Sequence, residues 1–278
     1  MKTTTSVLAL GLMSLPCLAK EYILYKEGGM PAVGTKLEMT SKTDFPEMKM
    51  SVKGGPQAME GKMSRKSEDT EVIEVKGKGK LHYELKASES QNATEMMGQR
   101  QEAPEPPNKL LKTPILFELQ GDDWEAKPVN GQLSDEQREA AEDKLEGFLE
   151  AGEIYGEKAR KVGETWKVEG DELSVLMKDA DFDEGGATLT LQEIVTKDGQ
   201  ECAKILVKFD MSGSIEDSGM TMKMEGTGNV VRSLEHLVDL DLDMKMKITM
   251  GGEVGPGMSM SMSGEGTMHQ TIKLTPAK

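Results

Sequence analysis

The sequence is poor in the residues that most often build catalytic and metal sites. It contains two cysteines and three histidines in 278 residues. It shows no zinc-type histidine spacing, serine nucleophile elbow, phosphate-binding loop or cysteine–histidine signature. If Cys17 is removed with the N-terminal segment described below, Cys202 is left as a single thiol and an intramolecular disulfide is excluded. The sequence therefore predicts a protein that is not an enzyme and that holds no metal ion or other cofactor.

Long hydrophobic runs and an excess of positive charge are also missing. No stretch after the N-terminal segment reaches the ~18 apolar residues that a membrane-spanning helix requires. The formal net charge is −15, whereas nucleic acids and anionic lipid headgroups both select for basic surfaces. We therefore expect neither a transmembrane segment nor a nucleic-acid partner.

Residues 1–19 are typical of a secretory signal peptide. Lys2 supplies a positive start, an apolar core runs from Val7 to Leu15, and Ala19 is a small residue before the expected cut. The apolar core of about ten residues is too short to span a bilayer. The mature protein is expected to be exported, either to the periplasm or out of the cell. A lipid anchor on Cys17 is the less favoured alternative, because the residues before it fit that processing signal poorly.

Alternation of apolar and polar residues dominates the rest of the chain. The clearest run, Val238 to Met250, has apolar residues at the even numbers in an unbroken phase. Such alternation is typical of strands with one buried face, and its repetition indicates antiparallel pairing. Asp198 and Gly199 between two alternating runs predict a tight hairpin. We therefore predict a mainly β fold, a large twisted antiparallel sheet or half-barrel.

One segment has helical periodicity instead. Ser134 and Gln137 form a capping-box pattern at its start, and apolar residues recur at helical spacing as far as Leu149. The sequence predicts a single amphipathic helix over about residues 134–150, lying over the sheet. In the predicted organisation, residues 20–87 form an N-terminal strand set and 88–108 a polar, proline-containing loop. The main β region, which includes the helix, covers 109–278.

Four segments together resemble a group of known bacterial domains. They are GTKLEM from Gly34, FELQGDDW from Phe117, VGETW from Val162 and TLQEIVTKDGQECAKILVKF from Thr190. On these residues the chain resembles exported, β-rich bacterial domains of unknown function. The VGETW turn and the strand, Asp-Gly turn, strand unit carry most of the likeness. The resemblance implies an exported mainly β fold, akin to the half-barrels that carry lipoproteins and lipids in the periplasm, and it implies no catalytic residue.

Methionine is the residue present in unusual number. The sequence has 22 methionines beside five phenylalanines and four tyrosines, although β-sheets normally favour branched and aromatic residues. An unbranched thioether side chain adapts to irregular contacts. We therefore expect an exported binding or carrier protein whose methionine-rich sheet face takes a hydrophobic ligand. The candidate ligand-facing residues are Met220, Met222, Met224, Met244, Met246, Met250, Met258, Met260 and Met262.

Other interpretations of these patterns stay open. In one alternative, the methionines fill the core of a structural protein with an envelope-protein partner. In a less favoured one, they bind Cu(I) through their soft sulfurs. Copper is less favoured because the methionines spread over at least four predicted strands. Asp239, Asp241 and Asp243 are interpreted as a solvent-facing row with Lys223 as a cross-strand partner. They are too far apart along an extended strand to share one Ca²⁺ ion.

Overall fold

The computed structural model describes residues 20–54, 58–103, 105–121, 123–174, 180–215 and 218–277. The predicted signal peptide, with Cys17, lies outside these residues. The helices are α1 (Asp135–Glu150) and the five-residue α2 (Gly170–Ser174), and a 3-10 turn spans Glu153–Tyr155. None of the helices in the described part of the chain is long and apolar enough to cross a membrane. The strands are β1 (Glu21–Tyr22), β2 (Lys36–Gly54), β3 (Ala58–Gly77), β4 (Lys80–Met96), β5 (Gln99–Ala103), β6 (Ile115–Gln120), β7 (Asp123–Pro128), β8 (Arg160–Lys161), β9 (Thr165–Glu169), β10 (Ala180–Lys197), β11 (Gln200–Ile215), β12 (Met220–Ser233), β13 (Asp239–Gly255) and β14 (Met258–Thr275).

Twelve strands form one open antiparallel sheet. Its order is β7-β6-β4-β3-β2-β14-β13-β12-β11-β10-β9, with β5 paired to β4. The chain builds this sheet as two series of hairpins, and β14 pairs with β2 to join them. β1 and β8 form a separate two-stranded ribbon. The predicted mainly β fold, with a large antiparallel sheet and one amphipathic helix, is confirmed.

The predicted Asp-Gly hairpin is the turn between β10 and β11. Lys197 and Gln200 are the last paired residues of the two strands. Asp198 and Gly199 both have positive φ, 51° and 82°. A type I′ turn requires positive φ at both central positions, and its twist matches that of the flanking strands. The local sequence therefore determines this reversal.

The long strands have one apolar and one charged face. Directly paired residues share a face, so the strand register traces rows of side chains across the sheet. One row on the apolar face consists of Val207, Gly228, Met244, Met268 and Thr43. The next residues along the same strands form a row on the charged face, namely Lys208, Thr227, Lys245, Thr267 and Asp44. We use "apolar face" below for the side that carries the first row.

Helix α1 covers one end of the apolar face. Its Ala141 and Leu145 are buried in a cluster with aliphatic and aromatic residues of β2, β3, β4 and β6, including Leu37 and Phe117. The helix starts as predicted, because the Ser134 hydroxyl accepts a bond from the Gln137 amide (3.2 Å) and the Gln137 side chain accepts one from the Ser134 amide (3.1 Å). This reciprocal cap satisfies two N–H groups that the helix itself leaves unpaired. We call this the α1 end of the sheet.

Removing the cap should destabilise the protein measurably. The variant Ser134→Ala is expected to lower the free energy of unfolding by about 1 kcal/mol, because the Gln137 amide loses its acceptor. Urea unfolding followed by circular dichroism measures this change. Ser261→Ala on the exposed charged face is the control and should unfold like the unchanged protein. Equal midpoints for the two variants would show that the cap contributes nothing.

A buried ion pair anchors the N-terminal segment near the same end. The Arg232 side chain is 3% exposed, and its Nη1 donates to Asp239 Oδ1 at 2.6 Å. Its Nε donates to the Leu24 carbonyl at 2.7 Å, and its guanidinium lies 4.2 Å from the centre of the Tyr155 ring. The Tyr155 hydroxyl donates to Asp239 Oδ2 at 3.0 Å. One cluster therefore joins β12 and β13 to the chain before β2 and to the 3-10 turn after α1.

Of the predicted solvent-facing row, Asp243 is exposed and Asp241 is partly exposed, but Asp239 turns inwards. The register of β12 with β13 shifts between the Val231–Asp241 and Arg232–Asp239 pairs, so the phase that was expected to be unbroken from Val238 changes there. The shift places Asp239 against the buried guanidinium, while Asp241 pairs with Lys197 at 2.6 Å. The expected partner Lys223 instead lies near Asp210 and Glu225. A β-bulge is not visible in an alternating sequence, which is why the prediction was wrong for Asp239.

Residues 88–108 were predicted to be a polar loop, and most of them are strand. They contain the second half of β4 and all of β5, which form a hairpin through Met97 and Gly98. Glu105 is tied back to this hairpin by bonds from Ser90 and Asn92, each 2.7 Å. The segment looks like a loop in sequence because both of its faces are largely polar, so apolar alternation is weak.

Candidate ligand-binding surface

All nine candidate methionines lie on the apolar face. The register pairs Met222 with Met250, and Met250 in turn with Met262, so β12, β13 and β14 present them side by side. Met220 and Met260 both lie opposite Gly252, whereas Met224 lies opposite Ile248. Met244 and Met246 are nearer the α1 end, where they lie opposite Gly228 and Gly226. Met258 lies opposite Gly255, next to the β13–β14 turn.

The pairing of β14 with β2 extends this surface into the N-terminal strands. Met262 lies opposite Met50, and Gly264 lies opposite Met48, which in turn pairs with Met63 of β3. On the other side, Met224 pairs with Met211 of β11. Three consecutive rows of the sheet are therefore rich in methionine. Met59 and Met96 of these rows lie next to hairpin turns. We call the other ten methionines the methionine patch: Met48, Met50, Met63, Met211, Met220, Met222, Met224, Met250, Met260 and Met262.

Glycines between the methionines let side chains lie along the sheet. A Cβ added to Gly264 would overlap the side chain of Met48, and one added to Gly61 would overlap the side chain of Met96. Closer to the α1 end, Gly266 accepts the ring of Phe45 in the same way. Large side chains that lie over glycine cover the backbone without building a second layer. The result is a thin coat of thioether groups on the sheet.

The exposure of this coat increases from one side of the patch to the other. Met211, Met222 and Met224 on β11 and β12 are buried, at 4–8% exposure, and on the other side of the patch Met48 of β2 is also buried, at 5%. The patch methionines of β13 and β14, together with Met50 and Met63, are half-buried. Beyond them, Met59 and Met258 are 41% and 45% exposed. The patch therefore has a closed side at β12 and an open side at β14, β2 and β3.

The α1 end of the same face differs in both composition and cover. Its buried residues are mainly leucine, isoleucine, valine and aromatic residues, and α1 packs on them. Leu24, Tyr155 and Ile154 cover the neighbouring strands, where hydrogen bonds tie them to Arg232, Asp239 and Trp166. One continuous face thus changes from a covered aliphatic core to an open methionine surface along the strand direction.

Two depressions lie mainly on the charged face. One, of about 710 Å³, is lined mostly by residues that alternate with the patch methionines, among them Lys49, Ser51, Lys62, Ser261 and Ser263, and Met50 and Met262 between them also border it. The other, of about 540 Å³, is lined mostly by charged-face residues farther along the same strands.

Ion pairs hold the charges of the opposite face in place. Lys62 Nζ donates to Glu47 Oε2 at 2.9 Å, and this bond raises the pKa of Lys62 and lowers that of Glu47. Lys223 Nζ lies 2.7 Å from Glu225 and 3.2 Å from Asp210, and bonds to these carboxylates raise its pKa. The charges therefore alternate with the methionines along the strands but project from the other side of the sheet.

The His, Cys, Asp and Glu side chains of the described residues do not form a metal centre. Within them, no group of three or more His, Cys, Asp and Glu side chains is arranged to hold a metal ion. Cys202 is buried, and burial raises the pKa of its thiol. Asp239 and Asp241 are each engaged with a cationic side chain. The patch itself presents thioether groups, which are apolar and polarisable.

Comparisons with known proteins give weak likenesses. No protein-family model matches the chain, and no curated protein matches it. Among solved structures, lipovitellin, described with its lipid–protein interactions, is 8% identical with a TM-score of 0.48; the likeness covers 89% of this chain and 26% of that chain. A DUF1329 family protein from Desulfovibrio piger is 9% identical, with a TM-score of 0.15 and coverage of 85% of both chains. The translocator domain of autotransporter NalP from Neisseria meningitidis is 9% identical, with a TM-score of 0.21 and coverage of 86% and 88%.

These comparisons assign neither a family nor a function. The chain spans about a quarter of the lipovitellin chain it resembles. The resemblance to exported domains of unknown function, carried by VGETW, is supported only as far as a β-rich fold. The export predicted from residues 1–19 stays a prediction.

The contribution of β2 and β3 to the patch was missed at the level of the sequence. The alternation of Met48 and Met50 is visible there, but alternation reveals which residues share a face and not which strand lies beside them. Met63 follows Gly61 in a strand rich in charged residues, which obscures its pattern. The matching methionine content of β2 and β14 is the one sequence signal that relates these two strands.

Proposed function

We propose that the protein is a non-enzymatic binding or carrier protein that holds an acyl chain or a similar unbranched hydrophobic group on the methionine patch. The observation that carries this proposal is the change along one sheet face, from a helix-covered core to an open methionine surface. A core that only needed filling would be covered at both ends. The half-buried state of Met50, Met250 and Met262 leaves thioether surface for a ligand to cover.

The energetics favour a long, apolar ligand over a compact polar one. Complete burial of one methionine side chain contributes about 1.5–3 kcal/mol, and several neighbouring methionines are half-buried. A flexible chain laid across β14, β2 and β3 removes this surface from water without requiring a precise shape. Methionine suits the role because its side chain re-packs around ligands of different length.

The alternative in which the methionines only fill the core fits the buried methionines of β12. Met220, Met222 and Met224 are 4–8% exposed, so they already pack as core residues. In the proposal they form the closed side of the site, and the ligand contacts the half-buried methionines of β13, β14 and β2.

A fluorescent fatty acid tests the proposal directly. The probe is 11-(dansylamino)undecanoic acid, whose emission rises when it leaves water. The unchanged protein should bind it, and Met260→Ser combined with Met262→Ser should weaken binding by about tenfold or more, because the loss of apolar contact amounts to at least about 1.4 kcal/mol. Both methionines are half-buried on the open side.

The matched control is Met39→Ser. Met39 is a half-buried methionine on the same face, but it lies opposite Ile272 at the α1 end. Its substitution should leave probe affinity unchanged. If the unchanged protein does not bind the probe, or if the control weakens binding as much as the double variant, the methionine patch is not the binding site.

A further inference from the structure

Three neighbouring hairpin turns at one end of the sheet differ in chemistry from the turns at the α1 end, whereas the β11–β12 connection, at the same end as these three turns, includes Glu216 and Asp217 in its sequence. At the end beyond the methionine patch, three hairpins are adjacent, because β5, β4, β3, β2, β14 and β13 follow one another in the sheet. The described residues at and next to the tips of these turns contain no charged side chain. We call them the uncharged rim: Gly54, Ala58 and Met59, residues 96–99, and residues 254–259.

The turns at the α1 end have the opposite character. The β3–β4 turn carries Lys76, Lys78 and Lys80, and the β10–β11 turn carries Lys197 and Asp198. Charged residues make up 30% of the whole chain. Three adjacent turns without charge are therefore a local departure from the composition of the protein.

The uncharged rim also exposes large apolar side chains. Met97 is 79% exposed, Met258 45%, Val254 43% and Met59 41%. These are four of the nine large apolar side chains that are exposed in the described residues. A group of exposed apolar side chains on neighbouring turns marks a contact surface for an apolar partner.

From these observations we propose that the uncharged rim inserts into the surface of a lipid bilayer with electrically neutral headgroups. Turns without charge enter the boundary between headgroups and acyl chains at low desolvation cost, and their methionine and valine side chains gain apolar contact there. The flanking charges are mixed in sign, with Lys53 and Arg100 beside Glu60, Glu95 and Glu253. Together with the net charge of −15, this mixture favours zwitterionic over anionic lipid and disfavours a second copy of the chain.

The methionine patch begins where the rim ends. Met258 and Met59 lie in the rim, and Met260 and Met262 follow along β14. A bilayer in contact with the rim would therefore face the open side of the patch, so an acyl chain could pass between them along the strands. This argument from continuity rests on the proposed function, whereas the argument from charge and exposure does not.

Flotation with vesicles tests the insertion. The full chain is mixed with vesicles of dioleoylphosphatidylcholine and separated on a density gradient. The unchanged protein should float with the vesicles, and Val254→Asp should reduce the bound fraction about tenfold, because a charge replaces an inserted apolar group. Val162→Asp is the matched control. Val162 is 49% exposed in the turn before β9, away from the rim, and its substitution should leave flotation unchanged.

Three results would overturn the proposal. They are an unchanged protein that does not float, two valine variants that float equally, and sedimentation data in which Val254→Asp converts a dimer to a monomer. The fatty-acid probe, used without vesicles, separates this test from that of the proposed function. Val254→Asp should still bind the probe. A protein that floats in a Val254-dependent way but binds no probe retains the rim proposal and loses the proposed function.

Discussion

Replacement of Arg232 by methionine is expected to lower the free energy of unfolding by about 3–5 kcal/mol. The guanidinium is buried and bonds to Asp239 and to the Leu24 carbonyl. Its removal leaves a partly buried carboxylate without its cation and a main-chain carbonyl without its donor. Burial lowers the pKa of Arg232, but the Asp239 carboxylate more than offsets this and the pKa is raised overall, so Arg232 stays charged in the folded state. The same burial and the same carboxylate raise the pKa of Tyr155, which therefore stays neutral.

Urea unfolding of three variants measures the effect. Arg65→Met is the matched control, because Arg65 lies 3.3 Å from Glu105 in an ion pair on the surface and should lose no more than about 1 kcal/mol. The double variant Arg232→Met with Asp239→Leu should recover part of the lost stability, since it removes both charges. Hydrogen exchange should speed up around Leu24 in the single variant. A loss for Arg232→Met no larger than that of the control would mean that the buried pair does not stabilise the fold.

The second large effect is expected from Gly228→Ala, which should destabilise the protein by about 1–3 kcal/mol. A Cβ at this position would overlap the carbonyl oxygen of Asp243 and the sulfur of Met244. The oxygen belongs to the backbone of β13, so rotation of a side chain does not relieve the overlap. The two central strands must separate locally, which also moves Met244 on the apolar face.

A second glycine provides a control, because its replacement by alanine is expected to stabilise the protein. A Cβ on Gly251 of β13 would lie 3.6 Å from its nearest neighbour, the carbonyl oxygen of Met260, and the backbone there does not require glycine. Gly251→Ala should therefore stabilise the protein by about 0.4–1 kcal/mol by restricting the unfolded chain. Thermal and urea unfolding of both variants provide the comparison. Two alanine variants with the same stability would show that close packing at Gly228 does not constrain the sheet.

Features determined by neighbouring residues were predictable from the sequence. The cap of α1 needs only Ser134 and Gln137, and the β10–β11 turn needs only Asp198 and Gly199. The sharing of one face by Met220, Met222 and Met224 follows from the two-residue period of any strand. In each case the residues that determine the feature are close together in the sequence.

Features that depend on distant parts of the chain were not predictable. The placement of β14 beside β2 needs the complementarity of two long strands, and many strands of this chain have a similar alternation. Arg232 has the appearance of a surface residue in an alternating strand. Its burial results from a segment near Leu24 and a turn at Tyr155, both far from it in sequence. The bulge that turns Asp239 inwards was also not predictable from the sequence.

The pairing of β14 with β2 also has a consequence for how the protein folds. Leu37 and Leu274, which lie opposite each other, are near the two ends of the described chain. The β2–β4 hairpins can form during synthesis, but one long edge of β2 has no partner until β14 has been made. Unpaired edges invite pairing with other chains, and contacts between distant residues form slowly. We therefore expect the interval before the last strand joins to be the time at which this protein most needs protection from aggregation.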